Sequence, residues 1–99
     1  EIDFHSALLN QVNFSKSDLS GINLSHLDIK HSIFCEANLT GTNFTSSKLT
    51  KTSFERAHLD NTNFSKASLE KAKLAGANIK KCTLTDASIS NVDFGGCDL

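Results

Sequence analysis

The sequence predicts a solenoid, a chain wound on itself in short, equal steps, and three observations carry that prediction. Cut after every fifth residue, positions 36–80 read EANLT, GTNFT, SSKLT, KTSFE, RAHLD, NTNFS, KASLE, KAKLA, GANIK, with a small residue second and Leu, Phe or Ile fourth in every block. Of the separations five, ten, fifteen and twenty, only twenty pairs opposite charges more often than like ones. The seven phenylalanines fall in just two of the four columns that a period of twenty defines.

The period of five holds over the whole chain. Fourth positions run from Phe4 and Leu9 to Phe94 and Leu99, twenty centres that are all Leu, Ile or Phe, without an insertion. Neither the helix period of 3.6 nor the simple strand period of 2 produces it. Short periodicity sustained from end to end belongs to solenoids.

The repeat resembles the pentapeptide-repeat family, whose pattern is roughly A-(D/N)-L-x-x. Ala37-Asn38-Leu39-Thr40-Gly41 and Ala77-Asn78-Ile79 match it nearly word for word, and the resemblance covers the full length. It implies an all-β fold, a right-handed quadrilateral β-helix with four pentapeptides to a coil, so about five coils here. The handedness and the square section are the family's.

The charges agree with a coil of twenty residues, in which i and i+20 stack about 4.8 Å apart, close enough for opposite charges to help. At that separation the pairs are Lys16–Glu36, Glu36–Arg56, Asp28–Lys48, Asp60–Lys80, Lys66–Asp86 and Lys73–Asp93, against one like pair, Lys51–Lys71. Separations of five, ten and fifteen all favour like pairs. The aromatic columns are Phe4, Phe44, Phe64 and Phe14, Phe34, Phe54, Phe94. On opposite sides of a square they form two facing ladders, closed by Leu and Ile walls.

The second residue of each block is expected to point inward at a corner. It is small at Ala7, Ala37, Thr42, Ala57, Ala67, Ala72, Ala77 and Ala87, and bulkier at Ile2, Val12, Ile22 and Leu27, which predicts either wider or less regular early coils or side chains that help fill the open N-terminal end. The residue before each centre faces out. Asp3, Asn23, Asn43, Asn63 and Asp18, Asn38, His58, Asn78, Asp98 stack alike, and are expected to form amide ladders. The five glycines, 21, 41, 76, 95 and 96, are assigned to turns with positive φ.

The gross numbers describe one domain over residues 1–99, expected to be a segment of a longer protein because neither end reads as a polar cap. A net charge of −1 gives no global field for nucleic acid or membrane. There is no long apolar run and no signal peptide pattern. Cys82 and Cys97 fall in inward corner slots and Cys35 outside. Cys82 and Cys97 read as small buried residues rather than part of a disulfide framework, which points to a reducing, cytoplasmic setting.

Chemistry-bearing motifs fail on spacing. Five N-x-S/T matches, at Asn13, Asn23, Asn38, Asn43 and Asn63, are a by-product of the repeat. His26, His31 and Cys35 have no metal-ligand spacing, and His5 and His58 read as turn or stack residues. No Ser/His/Asp set stands out, and no glycine run forms a phosphate loop. No catalytic residue, metal, cofactor or small-molecule substrate is assigned, and any enzyme activity is expected outside this segment.

Charge, by contrast, is banded. Residues 1–47 carry net −3, residues 48–81 net +5 and residues 82–99 net −3. Lys51, Arg56, Lys66, Lys71 and Lys81 share one repeat slot, two after the centre, and form a candidate belt for an acidic partner. Lys51 and Lys71 stack as like charges, a strain that such a partner would relieve.

The expected function is therefore a non-catalytic protein–protein interaction or scaffold module with a protein partner. One alternative, implied by the resemblance, is a DNA-mimicking inhibitor or protector of DNA gyrase. That branch needs a strongly acidic rod, a C-terminal dimerising helix and protruding loops, which this sequence does not show. The other is binding of nucleic acid or another acidic partner through the basic belt, disfavoured for nucleic acid by the lack of exposed aromatics for stacking.

Overall fold

A computed structural model describes residues 9–98. The expectations placed on Ile2, Asp3, Phe4, His5 and Ala7, and on Leu99, lie outside the described residues. Fourteen isolated parallel bridges join residue i to i+20, from Asn13↔Ile33 to Asn78↔Asp98, always at the residue before a centre. The chain therefore winds in coils of twenty residues with four sides of five. The first side holds 11–15, 31–35, 51–55, 71–75 and 91–95, and the second, third and fourth sides follow in order.

Backbone hydrogen bonds explain why the step is so regular. Each centre from Phe14 to Ile79 donates its N–H to the coil above, as Phe34 N–H does to Ser53 O at 2.7 Å. The residue before the centre donates downward, as Ser53 N–H does to Ser32 O at 3.0 Å, and the first residue of a block donates upward, as Lys51 N–H does to Glu70 O at 3.0 Å. The second residue closes a β-turn onto the preceding centre, as Ala57 N–H does onto Phe54 O at 3.0 Å. From residue 31 to residue 80 four of five N–H groups per block are thereby satisfied by backbone, which is what keeps a loop-free coil stable.

Every first residue of a block from Gln11 to Gly96 has positive φ, between 58° and 73°. Positive φ at the third residue alone is the mark of a type II turn. Four of the five glycines fit this slot; Gly95 does not. The other fourteen are Gln, Lys, His, Glu, Ser, Arg, Asn or Asp, and none is β-branched. Branching at Cβ is what the left-handed region tolerates least, so the slot admits unbranched, outward-pointing side chains.

The core follows the predicted phase. Centres from Leu19 to Leu74 are buried, together with the small second residues Ala37, Ala57, Ala67, Ala72 and Ala77. Phe14, Phe34 and Phe54 stack face to face at 5.1 and 5.2 Å, and Phe44 stacks on Phe64 at 5.3 Å. The two ladders meet edge to face at 5.6–5.7 Å, the offset geometry that ring quadrupoles favour. Cover thins toward the C-terminal coil, where Ile89 is 46% exposed and Phe94 half-buried.

Polar second residues anchor the corners. Thr42, Thr52 and Thr62 donate their hydroxyls to the carbonyls of Leu19, Ile29 and Leu39 in the coil below at 2.8, 3.2 and 2.7 Å. Cys82 and Cys97 do the same with their thiols, to Leu59 and Leu74. The bulky residues Val12 and Leu27 open their own turns. The N–H of each donates instead to Ser32 Oγ or Ser47 Oγ in the next coil, and those hydroxyls in turn donate to Leu9 O and Leu24 O. The predicted irregularity of the early coils thus takes the form of two hydroxyl-bridged turns.

Two sequence expectations are corrected. Among the described residues the stacked Asn side chains form no amide ladder; their oxygens are taken by their own backbone, as shown below. Of the six opposite-charge stacks only Glu36–Arg56 closes, at 3.3 Å. Asp28 and Lys48, like Lys73 and Asp93, do sit on bridged backbone. Yet Asp28 pairs with Lys30 in its own block at 3.7 Å, and Lys80 turns to Asp98 at 3.4 Å rather than Asp60. Asp60 is left with a buried Oδ1 that has no partner. The twenty-residue register is real, but long exposed side chains find partners by reach rather than by stacking.

Candidate functional site

The fifth N–H of each block is the one the coil does not satisfy, and its fate depends on the third residue. Where that residue is Asn or Asp, its Oδ1 accepts the N–H two residues on. This happens at Ser15, Ser20, Ser25, Lys30, Thr40, Thr45, Ser65, Lys80 and Gly95, over 2.9–3.4 Å. Where the third residue is Ile33, Lys48, Ser53, His58, Ser68, Lys73, Thr83 or Ser88, the N–H two residues later has no protein acceptor. The rule has no exception among the described residues. It is the Asx turn, and it explains why Asn and Asp dominate this outward slot. At Asp18 the hydroxyl and then the N–H of Ser20 hold the carboxyl below the ordinary carboxylate range.

The open N–H groups are not scattered. Cys35, Glu55 and Ala75 lie on the first side, and Thr50, Glu70 and Ser90 on the fourth, leaving one on each remaining side (Asp60, Thr85). Because an outward side chain caps this N–H elsewhere, an uncapped one is reachable from the rod's surface. The first and fourth sides meet at the turns Thr50–Lys51 and Glu70–Lys71, which stack in consecutive coils through Lys51 N–H to Glu70 O.

That corner sorts the predicted belt. Lys51, Arg56, Lys66, Lys71 and Lys81 are all exposed and all at left-handed turn residues, with φ of 59–62°. They occupy all four corners, so they ring the rod rather than form one patch. Only Lys51 and Lys71 come together. Arg56 is engaged by Glu36, and Lys66 and Lys81 stand on other corners.

Beside the shared corner stand two lysines that the belt left out. Lys48 precedes it on the fourth side and Lys73 follows it on the first, each in the slot that elsewhere holds a capping Asn or Asp. No carboxylate lies within ion-pair distance of Lys48, Lys51, Lys71 or Lys73 among the described residues. The nearby acids are engaged: Glu70 accepts the Thr50 hydroxyl at 3.3 Å, and Glu55 the Cys35 thiol at 3.5 Å. The sequence signal for Lys48 and Lys73 was present: both break the Asn/Asp preference of their slot.

The other candidates do not assemble. His26 and His31 sit exposed at left-handed turn residues, and no three potential metal ligands converge among the described residues. The three cysteines are free and half-buried. Burial pushes the Cys82 thiol up to about 11, and raises Cys35 and Cys97 as well. None has the lowered pKa of a reactive thiol.

Parallel bridges at a fixed twenty-residue step define the class: a β-helical solenoid. The chain belongs to the pentapeptide-repeat family. The family model described as a pentapeptide repeat region matches residues 2–80, and that described as pentapeptide repeats (8 copies) matches residues 62–99. Among solved structures, the chain is similar to a pentapeptide repeat protein, Rfr23, from the cyanobacterium Cyanothece 51142. They are 26% identical with a TM-score of 0.85, over 89% of this chain and 60% of that one. A pentapeptide repeat protein from Nostoc Pcc 7120 is 28% identical with a TM-score of 0.46, over 74% of this chain and 64% of that one. The likeness to Rfr23 implies a right-handed β-helix. The chain thus spans less than two thirds of the length of either structure. No curated protein matches it.

Proposed function

We propose that the chain is a non-catalytic protein–protein interaction or scaffold module, a right-handed quadrilateral rod of about five coils that docks a protein partner through its basic band. The observation that carries this reading is the corner of four lysines, Lys48, Lys51, Lys71 and Lys73, none paired with a carboxylate among the described residues. They are held by a backbone whose register is unbroken from Asn13 to Asp98. A surface already fixed by its own hydrogen bonds loses little freedom on docking, and unpaired cations favour an acidic partner surface.

Protein is favoured over nucleic acid by the aromatics. Every described phenylalanine is buried or half-buried, which leaves no stacking platform for bases. The three free thiols fit a reducing compartment such as the cytoplasm.

The test is affinity capture at low and high salt, comparing the wild type with the double variant Lys51→Glu/Lys71→Glu. The variant keeps like charges stacked and should fold equally well. A protein retained stoichiometrically by the wild type, released by salt and lost with the variant supports the reading. Retention that ignores both salt and charge reversal would move the docking surface away from the basic band.

A further inference from the structure

We infer that the corner formed by Thr50–Lys51 and Glu70–Lys71 is an anion receptor that binds carboxylates on an acidic helix of a partner protein, using open backbone N–H groups as well as lysines. The inference rests on the reading of the rod as an interaction module and assigns its site and the chemistry of its partner.

Two independent features coincide here. The first is charge: Lys48, Lys51, Lys71 and Lys73 stand together on two adjoining sides without an ion-pair partner among the described residues. The second is donor supply. The N–H groups of Thr50 and Glu70 lack the Asx cap that satisfies the equivalent group wherever the slot two residues before holds Asn or Asp. At Thr50 the missing acceptor has been replaced by a cation, Lys48; at Glu70 it has been replaced by Ser68. In the capped blocks an amide or carboxylate oxygen occupies this position. A carboxylate oxygen from a partner is the same acceptor arriving in trans, with lysines beside it to neutralise its charge.

Spacing selects the partner's form. The two N–H groups belong to consecutive coils, about 4.8 Å apart along the rod. Acidic residues at i and i+3 or i+4 of a helix have Cβ atoms about 5–6 Å apart, whereas successive same-face residues of a strand are about 6.8 Å apart. The helix matches the step of the corner better. The Glu70 carboxylate accepts the Thr50 hydroxyl at this corner and keeps its charge, so the four lysines must outweigh it for an anion to bind.

The decisive variant is Ser68→Asn, which caps the Glu70 N–H without changing any charge. His58→Asn caps the Asp60 N–H away from this corner and serves as its control. Binding is read by fluorescence anisotropy with a labelled helical peptide carrying Glu at i, i+4 and i+7. The same composition interrupted by proline, and a single-stranded oligonucleotide, are the comparison probes. The helical peptide should bind best and weaken as salt rises. Lys51→Ala/Lys71→Ala should cost about tenfold, Ser68→Asn about fivefold, and His58→Asn nothing.

Ser68→Asn binding as tightly as wild type would overturn the backbone receptor. Equal binding of the proline-interrupted peptide, or tighter binding of the oligonucleotide, would overturn the acidic helix. If neither peptide binds while capture still retains a salt-sensitive partner, this inference fails and the module reading stands. Loss of all capture defeats both.

Discussion

Replacing Phe54 with Ala tests the aromatic core where it is most interconnected. Phe54 has no exposed surface, stacks on Phe34 at 5.2 Å and meets Phe44 and Phe64 edge-on at 5.7 and 5.6 Å. Emptying such a site costs about 3–5 kcal/mol. Leucine retains most of the apolar burial but loses the ring geometry, with three pairs at about 0.5–1.5 kcal/mol each as an upper bound. Phe54→Leu should therefore lie between wild type and Ala. Phe14 stacks on Phe34 alone among the described residues and is half-buried, so Phe14→Ala should cost less, about 1–2 kcal/mol. Urea denaturation measures the series. Because solenoid stability is a sum over neighbouring coils, hydrogen exchange at residues 34–74 must accompany it to show whether unfolding stays cooperative. Phe54→Leu as stable as wild type would refute the ladder as a source of stability beyond simple burial.

Four further outcomes are expected. Glu36→Gln should lower stability by no more than about 1 kcal/mol, since its ion pair with Arg56 is exposed; thermal melts at two salt concentrations check this. Lys66→Val places a β-branched residue at a φ of 60° and should cost about 1–2 kcal/mol by denaturation, while Lys66→Gly stays near neutral. Asn63→Ala uncaps Ser65 and should lose about 0.5–1.5 kcal/mol, seen also as faster amide exchange at Ser65. The Cys82 thiol, raised to about 11, contributes stability that is complete below the ordinary thiol value of 9.0 and is lost as pH rises through about 11. Melts between pH 8 and 11 should show a decline that is reduced in Cys82→Ala.

The period of five made the core legible, because burying one large and one small residue per side leaves no freedom of phase. Phe34, Phe54 and Ala57 could be placed from the sequence alone. What the sequence hid was the hydrogen bonding of small polar side chains. Asn23, Asn43 and Asn63 do stack, but their oxygens turn to a backbone N–H two residues away rather than to each other, since a donor fixed within the same turn is always in reach. The charge argument reached the correct register although most of its pairs do not close: bridged backbone sets the spacing, while the long side chains of Lys30 and Lys80 choose their own neighbours. The belt was legible as a band along the axis. Its division among four corners depends on where each residue falls within the coil, so only Lys51 and Lys71 meet.

The cap rule makes departures from the repeat interpretable. A missing cap on an exposed turn leaves one N–H to water and costs little, so the loss can persist without a function. Asp60 and Thr85 show the bare case: each lacks a cap, and neither stands at a corner flanked on both sides by lysines in capping slots. At Thr50–Lys51 and Glu70–Lys71 the departures compound. Two open N–H groups stack in register, Lys48 stands where a cap would be, Lys73 follows on the next side, and the turn residues themselves are like charges one coil apart. Each of these choices lowers the stability of the isolated rod or leaves it unimproved, and each strengthens binding of an anion. Concerted local departures from an otherwise consistent design mark function more strongly than any one of them. Restoring the cap at Glu70 by Ser68→Asn should consequently raise stability and lower affinity in one substitution, a pairing that simple tolerance of surface lysines does not produce.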